Sequence, residues 1–181
     1  MNKEYHSKTE YGIYFSAIIC SDTTLFPEIC KDISQFLGKP IIKSPVFDFN
    51  FTDYYASEMG NNLKKQYVLF DYIAKTYELP KIKNSCMEIE KKYAYRNRRF
   101  ANIDPGYITI SKVVLASHKN APHRICIHKN IYADPVLILS KNKIFPHRYT
   151  FPDYKTQIAM EFFRECRRIF KDLLKNSIRK S

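Results

Sequence analysis

The stretch Tyr14 to Cys20, Tyr-Phe-Ser-Ala-Ile-Ile-Cys, is apolar and rich in strand formers, and reads as a buried first strand. Leu25, Ile29, Ile33, Phe36 and Leu37 then recur at helical spacing, with Thr23 or Thr24 placed to cap the start. Gly38 stands where a left-handed stop is wanted, and Pro40 forbids continuation. From Ile41 to Phe51 the pattern switches to alternation, with Phe47, Phe49 and Phe51 on one face and Asp48, Asn50 and Thr52 on the other, which predicts a second strand.

Lys65 to Ile73 reads as a further strand, after a short helical turn that Asp53 could cap. Ser85 and Glu88 have capping-box spacing, predicting a helix from about Cys86 to Tyr95 with Ile89 and Tyr93 inward. Asp104-Pro105-Gly106 fits a type II turn. Behind Thr109, residues Ile110, Val113, Val114 and Ser117 fall at helical spacing, although 108–117 reads equally as a strand. Beyond Pro122 the pattern is one of hairpins: Arg124 to His128, Ile131 to Leu139 and Ile144 to Thr150, with turns at 129–130 and 141–143. Pro135 and Pro146 push these strands toward edges or bulges. Last comes an apolar stripe of Ile158, Phe162, Cys166, Ile169, Phe170 and Leu173, opposite Arg164, Arg168, Lys171 and Lys175, which predicts an amphipathic helix.

This order predicts an α+β fold with helices packed on a mainly antiparallel sheet: a ferredoxin-like start extended by a β-meander and a C-terminal amphipathic helix. At 181 residues, 45% hydrophobic and 27% charged, one packed domain over 1–181 is expected, with loose ends at about 1–10 and 177–181. No apolar run is long enough to span a membrane, and the first residues lack the layout of a secretory leader, so no membrane partner and a cytoplasmic location are expected. The five cysteines, none closer than ten residues to another, suit neither a disulfide framework nor a zinc knuckle and read as free, mostly buried thiols.

Charge sharpens the picture. The net charge is +12, yet the first sixty residues hold five basic and eight acidic side chains while the remainder holds twenty-five and ten. The excess gathers at Lys91, Lys92, Arg96, Arg98 and Arg99, at Lys112, Lys119, Arg124 and Lys129, and at Arg164, Arg167, Arg168, Lys171 and Lys175. Such a field draws phosphate-bearing partners, although a solvated basic surface accounts for the same counts. Four widely spaced glycines build neither a Walker A loop nor a dinucleotide fingerprint. Residues 48–59 mimic the start of a calcium loop but have Asp53 and Met59 where Gly and Glu are needed. The five histidines form no His-Glu-x-x-His pair, and Cys126 with His128 on one strand face is a weak nucleophile candidate.

Two constellations remain. The first is Asp48, Asn50, Thr52, Asp53, Tyr54, Tyr55 and Glu58, in which Asp48, Asp53 and Glu58 could hold a hard cation such as Mg2+ and Asp48 could act as a base; a helix cap on a solvated strand face is the plainer alternative. The second is Arg98, Arg99, Asn102, Asp104, Tyr107, Lys112, Lys119, His123 and Arg124, an anion-binding layout or a solvated basic loop.

At these residues the chain resembles the bacterial family known as domain of unknown function 4416. The resemblance rests on Phe47 to Tyr55 with Glu58-Met-Gly60, on Asn102 to Thr109 running into Lys112 to Ser117, on His123-Arg124, on Ile131-Tyr132-Ala133, and on Thr150-Phe-Pro-Asp-Tyr154. Asp134, Asn130 and Tyr149 stand where Glu, Gly and Trp are usual in that pattern. The resemblance implies a GTP-binding label borne by some members, and it adds Asp153 to the candidates. Taken together, Asp48, Asp104 and His123 are the catalytic candidates, with Asn50, Arg98, Arg99, Asn102, Tyr107, Lys112, Lys119, Arg124 and Asp153 as ligand-binding ones. The expected function is binding of a nucleotide or sugar phosphate, with Arg124 and Lys112 on the phosphate and metal-assisted catalysis in its enzymatic form. An RNA-binding module using the basic C-terminal helix face and a non-catalytic scaffold subunit are the alternatives.

Overall fold

A computed structural model describes residues 10–178 except 53, 97 and 142, with the side chains of 177 and 178 left aside. The termini expected to be loose therefore fall almost wholly outside the described residues. The elements run β1 (Tyr11–Cys20), α1 (Leu25–Leu37), β2 (Pro40–Lys43), β3 (Phe47–Asp48), α2 (Ala56–Met59), β4 (Lys64–Lys75), α3 (Leu79–Lys92), β5 (Ala94–Tyr95), β6 (Arg98–Arg99), β7 (Ala101–Ile108), β8 (Lys112–Ser117), β9 (Ile125–His128), β10 (Ile131–Ser140), β11 (Lys143–Pro146) and α4 (Gln157–Ile178). Short 3-10 turns occupy Thr76–Glu78 and Pro152–Lys155.

The fold is α+β, built on an antiparallel sheet ordered β11-β10-β8-β7-β1-β4-β2, with β3 added to β4 and β9 to β10. The order β7-β1-β4-β2, with α1 and α3 as the crossovers, is the ferredoxin-like arrangement, and β8 to β11 extend it as a meander. Alternation along β1 and β4 gives the sheet two apolar faces. Tyr14, Ile18, Val68, Phe70 and Ile103 pack under α1 and α3, through Ile29, Ile33, Ile82 and Cys86. Phe15, Tyr67, Leu69, Val113 and Leu137 pack under α4, through Phe162, Phe163, Cys166 and Phe170. The result is three layers with the sheet in the middle.

Several local expectations are corrected. The continuous strand over 41–51 is broken at Ser44-Pro45, where Ser44 Oγ accepts from the Tyr67 amide at 2.9 Å and the proline lacks an N–H. Phe47 stacks near Tyr67 under α4 while Phe49 joins Ile19, Met59 and Leu63 in a separate cluster, so the three phenylalanines do not share a face. Helix α3 starts a turn and a half before the supposed capping box, with Pro80 in its first turn, and Ser85 donates back to the Lys81 carbonyl at 3.3 Å from mid-helix. Thr24 stands at the N-cap of α1 as expected, but its side chain makes no capping bond; its amide and hydroxyl donate to Asp22 Oδ1 at 2.9 and 2.7 Å.

Asp104-Pro105-Gly106 is no turn. It lies inside β7, with Pro105 opposite Ser16 and Gly106 between Phe15 and Leu115. Gly106 is demanded by proximity, since a Cβ there would sit 2.4 Å from the Val114 carbonyl oxygen and 2.5 Å from the Phe15 ring. Residues 108–117 are the end of β7, a turn and β8, and Thr109 Oγ1 accepts from the Ser111 and Lys112 amides in that turn rather than heading a helix. Of the cysteines, Cys20, Cys30, Cys86 and Cys166 are buried free thiols and Cys126 is exposed.

A candidate ligand cavity where two strands part

Pairing of β7 with β8 covers only Gly106, Tyr107 and Ile108, opposite Leu115, Val114 and Val113. Beyond Gly106 both strands continue without pairing to each other, β7 back to Ala101 and β8 on to Ser117. Pro105 marks the place, because it has no N–H to offer a second neighbour. A cavity of about 450 Å3 lies here, lined by Asn102 and Asp104 from one strand and Leu115 and Ser117 from the other. Lys83 and Glu90 of α3 line it from one face of the sheet, Asp153 and Tyr154 from the α4 face, and Phe49, Phe51, Thr52, Tyr54 and Tyr55 with His118, Lys119 and Arg124 add to the lining.

The floor is a buried charge network. Lys83, 3% exposed, donates to Asp104 Oδ1 at 2.8 Å and to the Ile103 carbonyl at 2.8 Å, with Glu90 Oε1 at 3.8 Å. Glu90 also accepts from the Ile103 amide at 2.6 Å, and Asn102 donates to Asp104 Oδ2 at 2.8 Å. Burial by itself raises the Asp104 carboxyl, but Lys83, with Lys65 and Asn102, outweighs it and holds Asp104 below the usual carboxylate range. Glu90 goes the other way: burial and the Asp104 charge raise it despite Lys83. Burial opposes the charge on Lys83, yet its two carboxylates keep it protonated. Arg99 joins this side, donating from Nε to Glu58 at 2.9 Å and from Nη1 to Asn102 Oδ1 at 3.2 Å.

Across the cavity, Lys65 and Asp153 form a buried pair at 2.5 Å, and the Tyr67 hydroxyl donates to the same Asp153 oxygen at 2.9 Å. Lys65 also lies over the rings of Phe49, Tyr67 and Tyr154 at about 5 Å. Arg124 donates from Nε to Asp134 at 2.8 Å and from Nη1 to Ser117 Oγ at 2.9 Å and the Lys119 carbonyl at 2.7 Å, which commits these two nitrogens and leaves Nη2 without a partner among the described residues. Lys119, on the exposed rim, has no carboxylate partner among the described residues and lies over the rings of Tyr54 and Tyr55.

Of the residues singled out in the sequence, Thr52, Tyr54, Tyr55, Arg99, Asn102, Asp104, Lys119, Arg124 and Asp153 thus line one cavity. The others stand elsewhere. Asp48 is 72% exposed and ion-paired with Lys64; Glu58 is held by Arg99, so neither is turned to a shared cation, and Asp53 lies outside the described residues. Among the described residues no group of three His, Cys, Asp or Glu side chains is gathered for a metal ion. Asn50 and Arg98 are exposed away from the cavity. Lys112 pairs with Glu10 at 2.8 Å, because β8 carries it to the far end of the strand from Ser117. Tyr107 packs edge-on against Tyr14 at 6.0 Å, where burial pushes its phenol up to about 12. His123 lies behind Arg124, with Nε2 3.4 Å from Asp134 and its ring stacked on Tyr149 at 4.6 Å. Cys126 and His128 make no nucleophile pair: the thiol donates to the His128 carbonyl at 3.3 Å. Lys65, Lys83, Glu90, His118 and Tyr154 line the cavity without having been singled out.

No helix is long and apolar enough to cross a membrane. No curated protein and no solved structure matches the chain significantly. A family model described as a domain of unknown function, DUF4416, matches residues 11–170, and the chain belongs to that family.

Proposed function

We propose that the cavity between β7 and β8 binds a phosphate-bearing small molecule, a nucleotide or a sugar phosphate. The observation that carries this reading is the pair of cations at its rim: Lys119, without a carboxylate partner among the described residues, and Arg124, whose guanidinium is anchored through Nε by Asp134 and through Nη1 by Ser117. An anchored guanidinium with one amino group to spare is pre-organised for an anion, and a neighbouring unpaired ammonium adds charge without a second carboxylate to cancel it. The buried floor suits the polar remainder of a ligand, and rings from Phe51, Tyr54 and Phe151 supply apolar walls.

The basic face of α4 supports the RNA reading less well. Of its four cations, Arg168 is spent on Glu165 and Asp172 within the helix. A scaffold role becomes the better account if no ligand is found.

The test is a thermal-shift and calorimetric titration with inorganic phosphate, ribose 5-phosphate and nucleoside monophosphates. Wild type is expected to bind at least one organic phosphate, and Lys119→Ala to weaken it about tenfold or more, since a hydrogen bond to a charged group is worth ~1.5–3 kcal/mol. Lys119 is the right probe because its side chain is exposed. Absence of binding by every phosphate overturns the reading.

A further inference from the structure

His118 follows the last residue of β8 and lines the cavity at the point where the two strands have parted. Its Nε2 is closed off from solvent and has no hydrogen-bond partner. Buried ring nitrogens are almost always bonded, so a bare one on a residue that lines an open cavity calls for a reason. The ring does interact with the backbone of Asn130, in the sense that favours a proton on the imidazole. Asn130 has φ 56° and forms the turn between β9 and β10, so this backbone group is fixed by the hairpin. A proton on Nδ1 would serve that backbone contact and leave Nε2 as a lone-pair acceptor. Burial first, and then the Lys83 charge, oppose a second proton, while Asp104 favours it more weakly; the ring is held neutral.

Tyr154 supplies the opposite half. It is 1% exposed, lines the same cavity, and its Oη has no partner. Burial keeps its proton in place, so it remains a donor. Every other buried polar group on the floor is committed within the network of Lys83, Asp104, Glu90, Lys65 and Asp153.

We propose that His118 Nε2 and Tyr154 Oη are the groups that select the ligand: His118 accepts a hydrogen bond from a ligand hydroxyl or N–H, and Tyr154 donates one to a ligand oxygen or nitrogen. The substrate class is therefore an organic phosphate whose non-phosphate end carries hydroxyl or N–H donors, as opposed to an alkyl or aryl phosphate. This rests on the phosphate reading of the same cavity. A site with buried groups waiting for partners rejects an analogue that leaves them unpaired far more strongly than an apolar pocket rejects a change of size.

The experiment is a calorimetric comparison of ribose 5-phosphate and uridine 5′-monophosphate with phenyl phosphate and butyl phosphate, on wild type, His118→Phe and Tyr154→Phe. Wild type is expected to favour at least one of the first two by tenfold or more over both of the second. His118→Phe should remove that preference while leaving phenyl phosphate affinity within about twofold, and Tyr154→Phe should reduce it. Equal affinity for both kinds in wild type, or equal weakening of both kinds by His118→Phe, overturns the inference while the phosphate reading stands. No binding of any of the four overturns both. A second measurement needs no variant: 15N spectra of the free wild-type protein at pH 7 should show His118 with Nδ1 protonated and Nε2 bare, and an Nε2-protonated or doubly protonated ring overturns the assignment.

Discussion

Lys83 Nζ sits 2.8 Å from Asp104 Oδ1 and 3.8 Å from Glu90 Oε1, so that one buried ammonium serves two carboxylates contributed by a helix and a strand. Removing it leaves Asp104 without its hydrogen-bonded ammonium and Glu90 with Arg99 alone, at 3.7 Å. Lys83→Met should destabilise the protein by about 3–5 kcal/mol in urea unfolding, the usual cost of breaking a buried pair from one side. Combining it with Asp104→Asn should recover part of the loss. A change below about 1 kcal/mol for Lys83→Met would show that the pair is well hydrated.

The same two carboxylates oppose each other in pH dependence. Asp104 is lowered in the fold, so its contribution to stability is complete above the ordinary carboxylate range and is lost as pH falls through the lowered value. Glu90 is raised, so its contribution is present at low pH and fades as pH rises through the raised value. In acid unfolding followed by circular dichroism, Asp104→Asn should flatten the loss on the acid side. Glu90→Gln should instead remove a decline on going upward from the ordinary carboxylate range. The reverse assignment of the two slopes would contradict the charge network.

Asp134 is fully buried, with Oδ2 bonded to Arg124 and Oδ1 without a partner. Arg124→Ala should therefore cost about 3–5 kcal/mol of stability, measured by denaturant, whatever it does to ligand binding. Asp134→Asn in the same background should restore much of it. Arg124 is for this reason a poor residue with which to test binding, and Lys119 a good one.

Gly106→Ala should destabilise by about 1–3 kcal/mol, the usual range for overpacking, because its Cβ would meet the Val114 carbonyl on a neighbouring strand, where no flexible side chain can give way. A thermal melt unchanged from wild type would contradict the close approach of β7 and β8 at their last paired residues.

The long-range plan of the molecule is legible in its periodicities. The apolar runs at Tyr14 to Cys20 and Lys65 to Ile73 and the stripe from Ile158 to Leu173 each produce the element that their spacing predicts. Local motifs mislead where tertiary structure overrides them. Asp104-Pro105-Gly106 has turn chemistry, but a strand on each side of Gly106 makes extension the better solution. Part of the candidate site is visible as clustered charge, at Arg99, Lys119 and Arg124. Its floor is not, although α3 carries a hint: Leu79, Ile82, Lys83, Cys86, Ile89 and Glu90 make one buried stripe, in which a lysine and a glutamate seven positions apart replace apolar residues. His118 and Tyr154 gave no signal, because a side chain's lack of a partner becomes visible only once distant segments have met.

Strand β1 precedes in sequence both of the strands that flank it in the sheet, β4 from Lys64 and β7 from Ala101. During synthesis this very apolar segment must wait for most of a hundred residues before its second edge is covered, a span over which an unpaired edge invites association with other chains. The position of β1 thus leaves one apolar strand edge uncovered until β7 has been made.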